Sequence, residues 1–292
     1  HASPISLKPA LQTSCNAFFC YGFKYMIDKR SKYGNPSKAF EVWKKHLVSM
    51  GYGYKLGVDL PGESRGFIPN SAYYDKAYGK GHWSANTIIS DAIGQGEVLA
   101  TPLQIANLCA TIANRGYYVT PHVVKHISGV GILKKSIEKH FPTVGRQYYP
   151  DIVAGMRMAV LGGTCRLADI PGLEVCGKTG TAQNPHGRDH SAFMGFAPMN
   201  HPKIAVCVYV ENAGFGATFG VPIGSLMIEK YLNKAIAPGR MHIENSMVNA
   251  STIGGTIKKG SFSRRSTSSS SSNADVDYDN IKVVHSENNE SE

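Results

Sequence analysis

The sequence predicts an α+β fold, with a mainly helical lobe over residues 1–165 and an antiparallel sheet with a closing helix over 166–235. Three observations predict it. In the first half apolar residues recur at near-helical spacing, as in Leu7, Leu11, Phe18, Phe19 and Phe23. Beyond residue 165 the period shortens to strand-like runs, of which Ile204-Ala205-Val206-Cys207-Val208-Tyr209-Val210 is the clearest. A Pro-opened amphipathic stretch from Phe219 to Leu232 then ends the patterned sequence. At 292 residues, 42% hydrophobic and 18% charged, the chain is long enough to bury one large domain or two lobes that share a site.

In order, the spacing predicts a first helix over residues 7–30, with Pro9 tolerated in its first turn. A second helix runs from Phe40 to Met50 and closes at Gly51. Residues 51–85, rich in Gly, Tyr and Pro, read as an irregular connection, and Ile93-Gly94-Gln95-Gly96 as a turn. Thr101-Pro102 caps a helix through Leu103 to Ala113, closed by Asn114-Arg115-Gly116. A further helix covers Pro150 to Leu161. Strands follow at Leu173–Lys178, Ser191–Ala197 and Ile204–Val210, the last two joined by a hairpin at Asn200-His201-Pro202. From residue 236 to 292 the composition turns to Ser and Asn, with eight serines among the twelve residues 261–272, and predicts a disordered tail.

Composition excludes several classes of function. The net charge of +10 is spread over scattered residues and the pairs Lys134-Lys135 and Lys258-Lys259, without a basic stripe interleaved with aromatics, so nucleic acid is not an expected partner. The six cysteines show no Cys-x-x-Cys spacing, which argues against zinc and thioredoxin chemistry. Cys15 and Cys20, five residues apart on one expected helix, face different sides. His186, His190 and His201 lack ligand spacing on regular elements, and Gly94-Gln95-Gly96 lacks the Gly-Lys-Ser/Thr of a phosphate loop. Neither a metal nor a cofactor is therefore expected. No apolar run reaches the roughly 18 residues of a membrane span. The chain begins at His1 without Met, which reads as a processed start, with any membrane anchor upstream.

Chemistry concentrates in two places. The strand end Gly177-Lys178-Thr179-Gly180-Thr181-Ala182-Gln183 places a cation, two hydroxyls and a bare backbone along one edge. Lys178, Thr179 and Thr181 supply what a free carboxylate needs, while Gly180 lets an extended peptide lie against the strand. The Thr181 N–H is a candidate oxyanion donor. Ser14-Cys15-Asn16 is the second place. A serine beside a lysine relays a proton to a leaving amine, and Asn16 can hydrogen-bond a substrate amide. Ser-x-Asn also occurs at Ser84-Ala85-Asn86 and Ser271-Ser272-Asn273, but only Ser14 lies in an amphipathic, aromatic-rich segment.

These motifs resemble the transpeptidase domain of class B penicillin-binding proteins, in particular the elongation-type penicillin-binding protein 2 group. The residues that carry the resemblance are Leu11 to Phe19 around Ser14, Gly57-Val58-Asp59-Leu60-Pro61-Gly62-Glu63, and Ile93-Gly94-Gln95-Gly96 with Thr101-Pro102-Leu103-Gln104. Gly177 to Gln183, His190-Ser191-Ala192-Phe193 and Gly195-Phe196-Ala197-Pro198 complete it, so that it spans residues 3–233 in order. The resemblance implies a β-lactamase/transpeptidase-like fold, incomplete at its N-terminus, and a serine acyltransferase that cross-links peptidoglycan. Implied partners are peptidoglycan stem peptides, β-lactam antibiotics and a membrane glycosyltransferase of the elongation machinery. The implied location is the bacterial cell envelope, on the extracytoplasmic face of the cytoplasmic membrane. Ser14 and Lys178 would be catalytic, and Asn16, Thr179, Gly180 and Thr181 substrate-binding.

The attacking serine of the family's Ser-x-x-Lys motif precedes Ser-x-Asn, and residues 1–13 contain no such motif. The one match, Ser136-Ile137-Glu138-Lys139, follows Ser14 in a charged stretch expected to be solvated. The sequence therefore reads as a transpeptidase domain truncated at its N-terminus and inactive on its own, with no nucleophile in this chain. Two other readings are a non-catalytic module that binds cell-wall peptide or partner proteins, and a β-lactamase or β-lactam sensor. The long 51–100 connection and the Gly-Gln-Gly/Thr-Pro segment resemble the transpeptidase, which disfavours the β-lactamase or sensor reading.

Overall fold

The computed structural model describes residues 4–253. The single helix expected over 7–30 is two, α1 (Leu7–Thr13) and α2 (Asn16–Ile27). Between them Ser14 sits in the left-handed region at φ 54° and ψ 52°, and the Cys15 N–H reaches back to Ala10 O at 2.9 Å. That six-to-one bond is the mark of a Schellman stop, here built on serine in place of glycine. Apolar residues on both sides keep helical spacing, which is why periodicity alone runs straight through the break.

After the single turn α3 (Arg30–Tyr33) comes α4 (Pro36–Ser49), which starts at Asn35, whose side chain accepts from the Lys38 N–H at 2.9 Å, with Pro36 in the first turn. Asn70 caps α5 (Ser71–Tyr78) in the same way, accepting from the Tyr73 N–H at 2.8 Å. Phe23, Ile27, Phe40, Tyr74 and Trp83 from these segments form one buried aromatic cluster. The connection expected to be irregular over 51–85 is so only up to Asn70, where α5 interrupts it, and its first part is pinned by a carboxylate and an amide. Glu63 accepts from the N–H groups of Leu56, Gly57 and Val58 at 2.6, 3.0 and 3.2 Å. Gln104 donates to the carbonyls of Tyr54 and Arg65 at 3.0 and 2.9 Å.

Helix α6 (Pro102–Ala113) carries the expected start as a full capping box between Thr101 and Gln104, and ends where Arg115 and Gly116 adopt positive φ. A short ladder of β1 (Tyr118–Val119) and β2 (Lys139–His140) follows, then α7 (Tyr149–Gly162). The main sheet has the antiparallel order β3-β4-β5, formed by Cys176–Ala182, His190–Ala197 and Ile204–Val210. Strand β3 begins later than the sequence predicts and continues through the whole Lys-Thr-Gly-Thr run, with Lys178 opposite Met194 and Thr181 opposite Ser191.

Side chains alternate across the sheet and build two cores. Phe196, Met194 and Cys176 meet α6 and α7 on one face. Phe193 and Val206 meet α8 (Gly220–Asn233) on the other. A Cβ at Gly220 or Gly224 would strike Phe193, so these glycines let α8 settle directly on the sheet.

The boundary at residue 236 moves. Residues 237–248, expected in the tail, form a short turn and α9 (Met241–Val248). Glu229 on α8 is fully buried, and Arg240 Nε meets its Oε2 at 2.8 Å while the Ala237 N–H donates to Oε1 at 3.0 Å. A buried carboxylate needs such a partner, so the segment after α8 is folded back by charge, which an apolar tally does not register. The Ser-rich stretch from 261 lies outside the described residues. All six cysteines are free thiols. Among the described residues no helix is long and apolar enough to cross a membrane.

Candidate active site

Strand β3 is an edge strand, paired on one side only with β4. Its Lys178 is half-buried and donates through Nζ to Ser14 Oγ at 2.7 Å and to the Thr179 carbonyl at 2.8 Å. Two motifs separated by 164 residues thus meet through their functional atoms. Burial lowers the Lys178 pKa below the usual lysine value, opposed in part by the neighbouring Cys165 thiol. The ammonium is thereby brought closer to giving up a proton. Because Lys178 donates into a lone pair of Ser14, the serine's own O–H remains available to a third atom.

The left-handed turn at Ser14 is what aims its hydroxyl at β3, since a continuous helix would carry it around the axis. Asn16 opens α2 with its side chain exposed. Gly180 is exposed on the edge, and the close approach of Gly216 to the Gly180 and Ala192 backbone holds the loop after β5 against the same strand. Thr181 Oγ1 accepts from the Gly216 N–H at 3.2 Å, which leaves the Thr181 hydroxyl proton free to donate.

Thr179 differs from the expectation that both threonine hydroxyls serve a ligand. Its Oγ1 donates to Thr164 Oγ1 at 2.8 Å, so this hydroxyl is turned toward the loop after α7. Thr164 was not legible as a site residue. Its N–H donates to Gln12 O at 3.2 Å, and a Cβ at Gly163 would collide with that same carbonyl. The Gly162-Gly163 pair is the only sequence signal of this close approach. Gln95 was missed as well: its Nε2 donates to the Thr181 carbonyl at 3.1 Å, so the Gly-Gln-Gly turn reaches the site.

Ser136 does not join this constellation. It is buried, against the expectation of a solvated stretch, although Lys134, Lys135, Glu138 and Lys139 around it are exposed. Its hydroxyl makes no hydrogen bond, and Lys139 Nζ lies over the Tyr117 ring, 4.5 Å from its centroid. The histidines serve local structure. His190 Nδ1 accepts from the Asn212 N–H at 3.0 Å, and His201 takes the left-handed position in the hairpin turn.

Lys178 and Ser14 thus meet beside the bare edge of β3, a pairing with the chemistry to hold an anion and pass a proton. The chain belongs to the penicillin binding protein transpeptidase domain family, whose model matches residues 1–225, and within it to the class B, PBP2-like members. The peptidoglycan D,D-transpeptidase MrdA of Acinetobacter baumannii is 29% identical over 90% of this chain. The match covers 40% of that relative's length. A crystal structure of Pseudomonas aeruginosa PBP2 in complex with WCK 5153 superposes with a TM-score of 0.64 at 31% identity, over 78% of this chain and 49% of that one. A complex between PBP2 and MreC from Helicobacter pylori gives a TM-score of 0.60 at 26% identity, over 79% of this chain and 39% of that one. The α+β transpeptidase fold read from the sequence is the fold observed.

Proposed function

We propose that this chain supplies the carboxylate-binding wall and the leaving-group proton relay of a peptidoglycan D,D-transpeptidase in bacterial cell-wall cross-linking. The observation that carries this reading is the 2.7 Å bond from Lys178 to Ser14, made in a chain of the transpeptidase family. A stem peptide ending in D-alanyl-D-alanine adds to the free edge of β3 as an extended strand past Gly180, with its terminal carboxylate at Lys178 and Thr181. Asn16 holds a substrate amide, and the Thr181 N–H supports the oxyanion.

In the reaction, a serine oxygen gives up its proton and bonds to the penultimate D-alanine carbonyl carbon, the amide C–N bond breaks, and the proton released makes good the one that Lys178 passes on. The departing D-alanine nitrogen takes a proton through Ser14, which Lys178 replenishes. The amine of a second stem then displaces the serine oxygen and forms the cross-link. No residue of this chain is assigned as that attacking serine, and Ser136 lacks the paired base it would need. β-Lactams fit the same wall as mimics of the D-alanyl-D-alanine end. The envelope location, on the extracytoplasmic face of the membrane, and a glycosyltransferase of the elongation machinery as partner belong to the same reading; the PBP2 of Helicobacter pylori is itself found in a complex, with MreC.

Saturation-transfer NMR with a stem peptide ending in D-alanyl-D-alanine tests the wall. The free acid is expected to bind, with affinity falling about tenfold, the value of one hydrogen bond to a charged group, in Thr181→Val or with a C-terminal amide. Equal binding of acid and amide by both proteins would overturn the reading. Incubation with a fluorescent penicillin tests the missing nucleophile. The 292-residue chain is expected to run unlabelled on a denaturing gel, and a labelled band would mean that one of its own serines attacks.

A further inference from the structure

Tyr74 is fully buried on α5, and its hydroxyl lies 2.6 Å from Asp91 Oδ2 and 3.0 Å from Glu97 Oε2. A phenol carries one proton, and two ionised carboxylates only accept. Asp91 is buried too, and its Oδ1 has no hydrogen-bond partner; it lies against Gly96, where a Cβ would stand 3.0 Å away. Three oxygens therefore crowd around one proton in a site where unpaired charge is costly.

None of the groups that act on Asp91 is a cation; only the Tyr74 hydroxyl and the Glu97 backbone N–H favour its charged form. The titratable groups facing Asp91 are Tyr74 and Tyr78 from α5 and Glu97 from beyond the turn. The aromatic cluster packed against this segment contributes Phe23, Met26 and Ile27 from α2. Burial, reinforced by the Glu97 charge and opposed by the Tyr74 hydrogen bond and the Glu97 backbone N–H, pushes Asp91 up to about 7.

The segment between these two carboxyl groups is the Gly94-Gln95-Gly96 turn. It is closed by bonds from the Gly94 N–H to Asp91 O at 3.2 Å and from the Gln95 N–H to Ser90 O at 3.1 Å. From its apex the Gln95 side chain reaches the Thr181 carbonyl. We propose that Tyr74, Asp91 and Glu97 form a proton-sharing clamp that positions Gln95 on the Thr181 carbonyl and so sets the ligand-binding edge of β3. The proposal rests on the reading of β3 as that edge, and makes these three positioning residues. With the extra proton the two carboxyl groups and the phenol form one hydrogen-bonded chain. Without it the carboxylates repel, the turn opens and Gln95 withdraws.

The pH window follows from the direction of the shift. The folded chain keeps a proton that the unfolded carboxyl, near 3.8, has released. The clamp's stabilisation is complete below that value and is lost as pH rises through about 7.

Infrared difference spectroscopy and segment-resolved hydrogen exchange on the full chain test this without any ligand, so a failure here is distinct from a failure of peptide binding. A carboxylic-acid carbonyl band is expected to titrate near neutral pH and to vanish in Asp91→Asn. Exchange protection of residues 89–97 and 178–183, corrected for the intrinsic rate, is expected to fall by an order of magnitude as pH rises through neutrality. Asp91→Asn keeps both segments protected at every pH, since the amide replaces the protonated acid, and Glu97→Gln is the second variant with the same expectation. Gln95→Ala retains the band and the response at 89–97 but abolishes the response at 178–183. A missing neutral-range band, a β3 segment indifferent to pH in the unmodified protein, or Asn and Gln variants that still respond would each overturn the clamp.

Discussion

Thr164 and Thr179 show how little of a site can be carried by motif residues alone. The Thr179 hydroxyl is spent on Thr164, so the motif's first threonine acts by fixing the strand against the loop after α7. Thr164→Val keeps the shape and leaves the Thr179 hydroxyl without its acceptor. It is expected to cost about 1 kcal/mol in urea unfolding, with ligand affinity reduced less than in Thr181→Val. At this scale Lys178 and Ser14 were legible because their chemistry is written in adjacent letters. Thr164 and Gln95 were not, because a hydroxyl or amide whose partner is a distant hydroxyl or carbonyl leaves no local pattern. Lys178 also shows what a sequence withholds about a residue it does reveal: the lowering of its pKa comes from burial by segments far away in the chain.

Among the elements, α6 was readable down to its cap, since Thr101, Pro102 and Gln104 act on their own helix. The break between α1 and α2 was hidden because both helices present apolar residues in one continuous phase. Helix α9 was hidden because it is short: of its residues only Ile243 is buried, and Arg240 just before it binds Glu229 and Ser225 of α8. Arg240 also donates to Ser225 Oγ at 2.8 Å, so it ties two positions of α8 to the returning chain. Arg240→Leu leaves the Glu229 carboxylate buried and unpaired. Its expected cost is about 3–5 kcal/mol, read from denaturant midpoints. Pairing it with Glu229→Gln is expected to recover most of that loss, whereas an additive double variant would show that the charge pair is not the cause.

For the whole molecule, the ordered domain extends past the boundary that composition assigns. A chain ending at residue 253 retains the Arg240 clasp, and one ending at 236 lacks it. The shorter chain is expected to melt on the order of 10 °C lower, and equal melting curves would show that α9 adds nothing to the domain. The broad division into helices first and sheet second was legible because it follows from period. The way the halves join was not, because it depends on contacts between residues far apart in sequence.

The Ser14 turn has a consequence for how the protein reaches its native state. Its closing bond, from the Cys15 N–H to Ala10 O, is local and can form early, so the serine is preset by its own neighbourhood. Its partner Lys178 lies 164 residues further along the chain. Contacts of such separation bear the full loop-closure entropy and consolidate late. Half of the constellation is thus a property of a short peptide and half a property of the finished domain, so the Ser14–Lys178 pairing is expected among the last contacts to form.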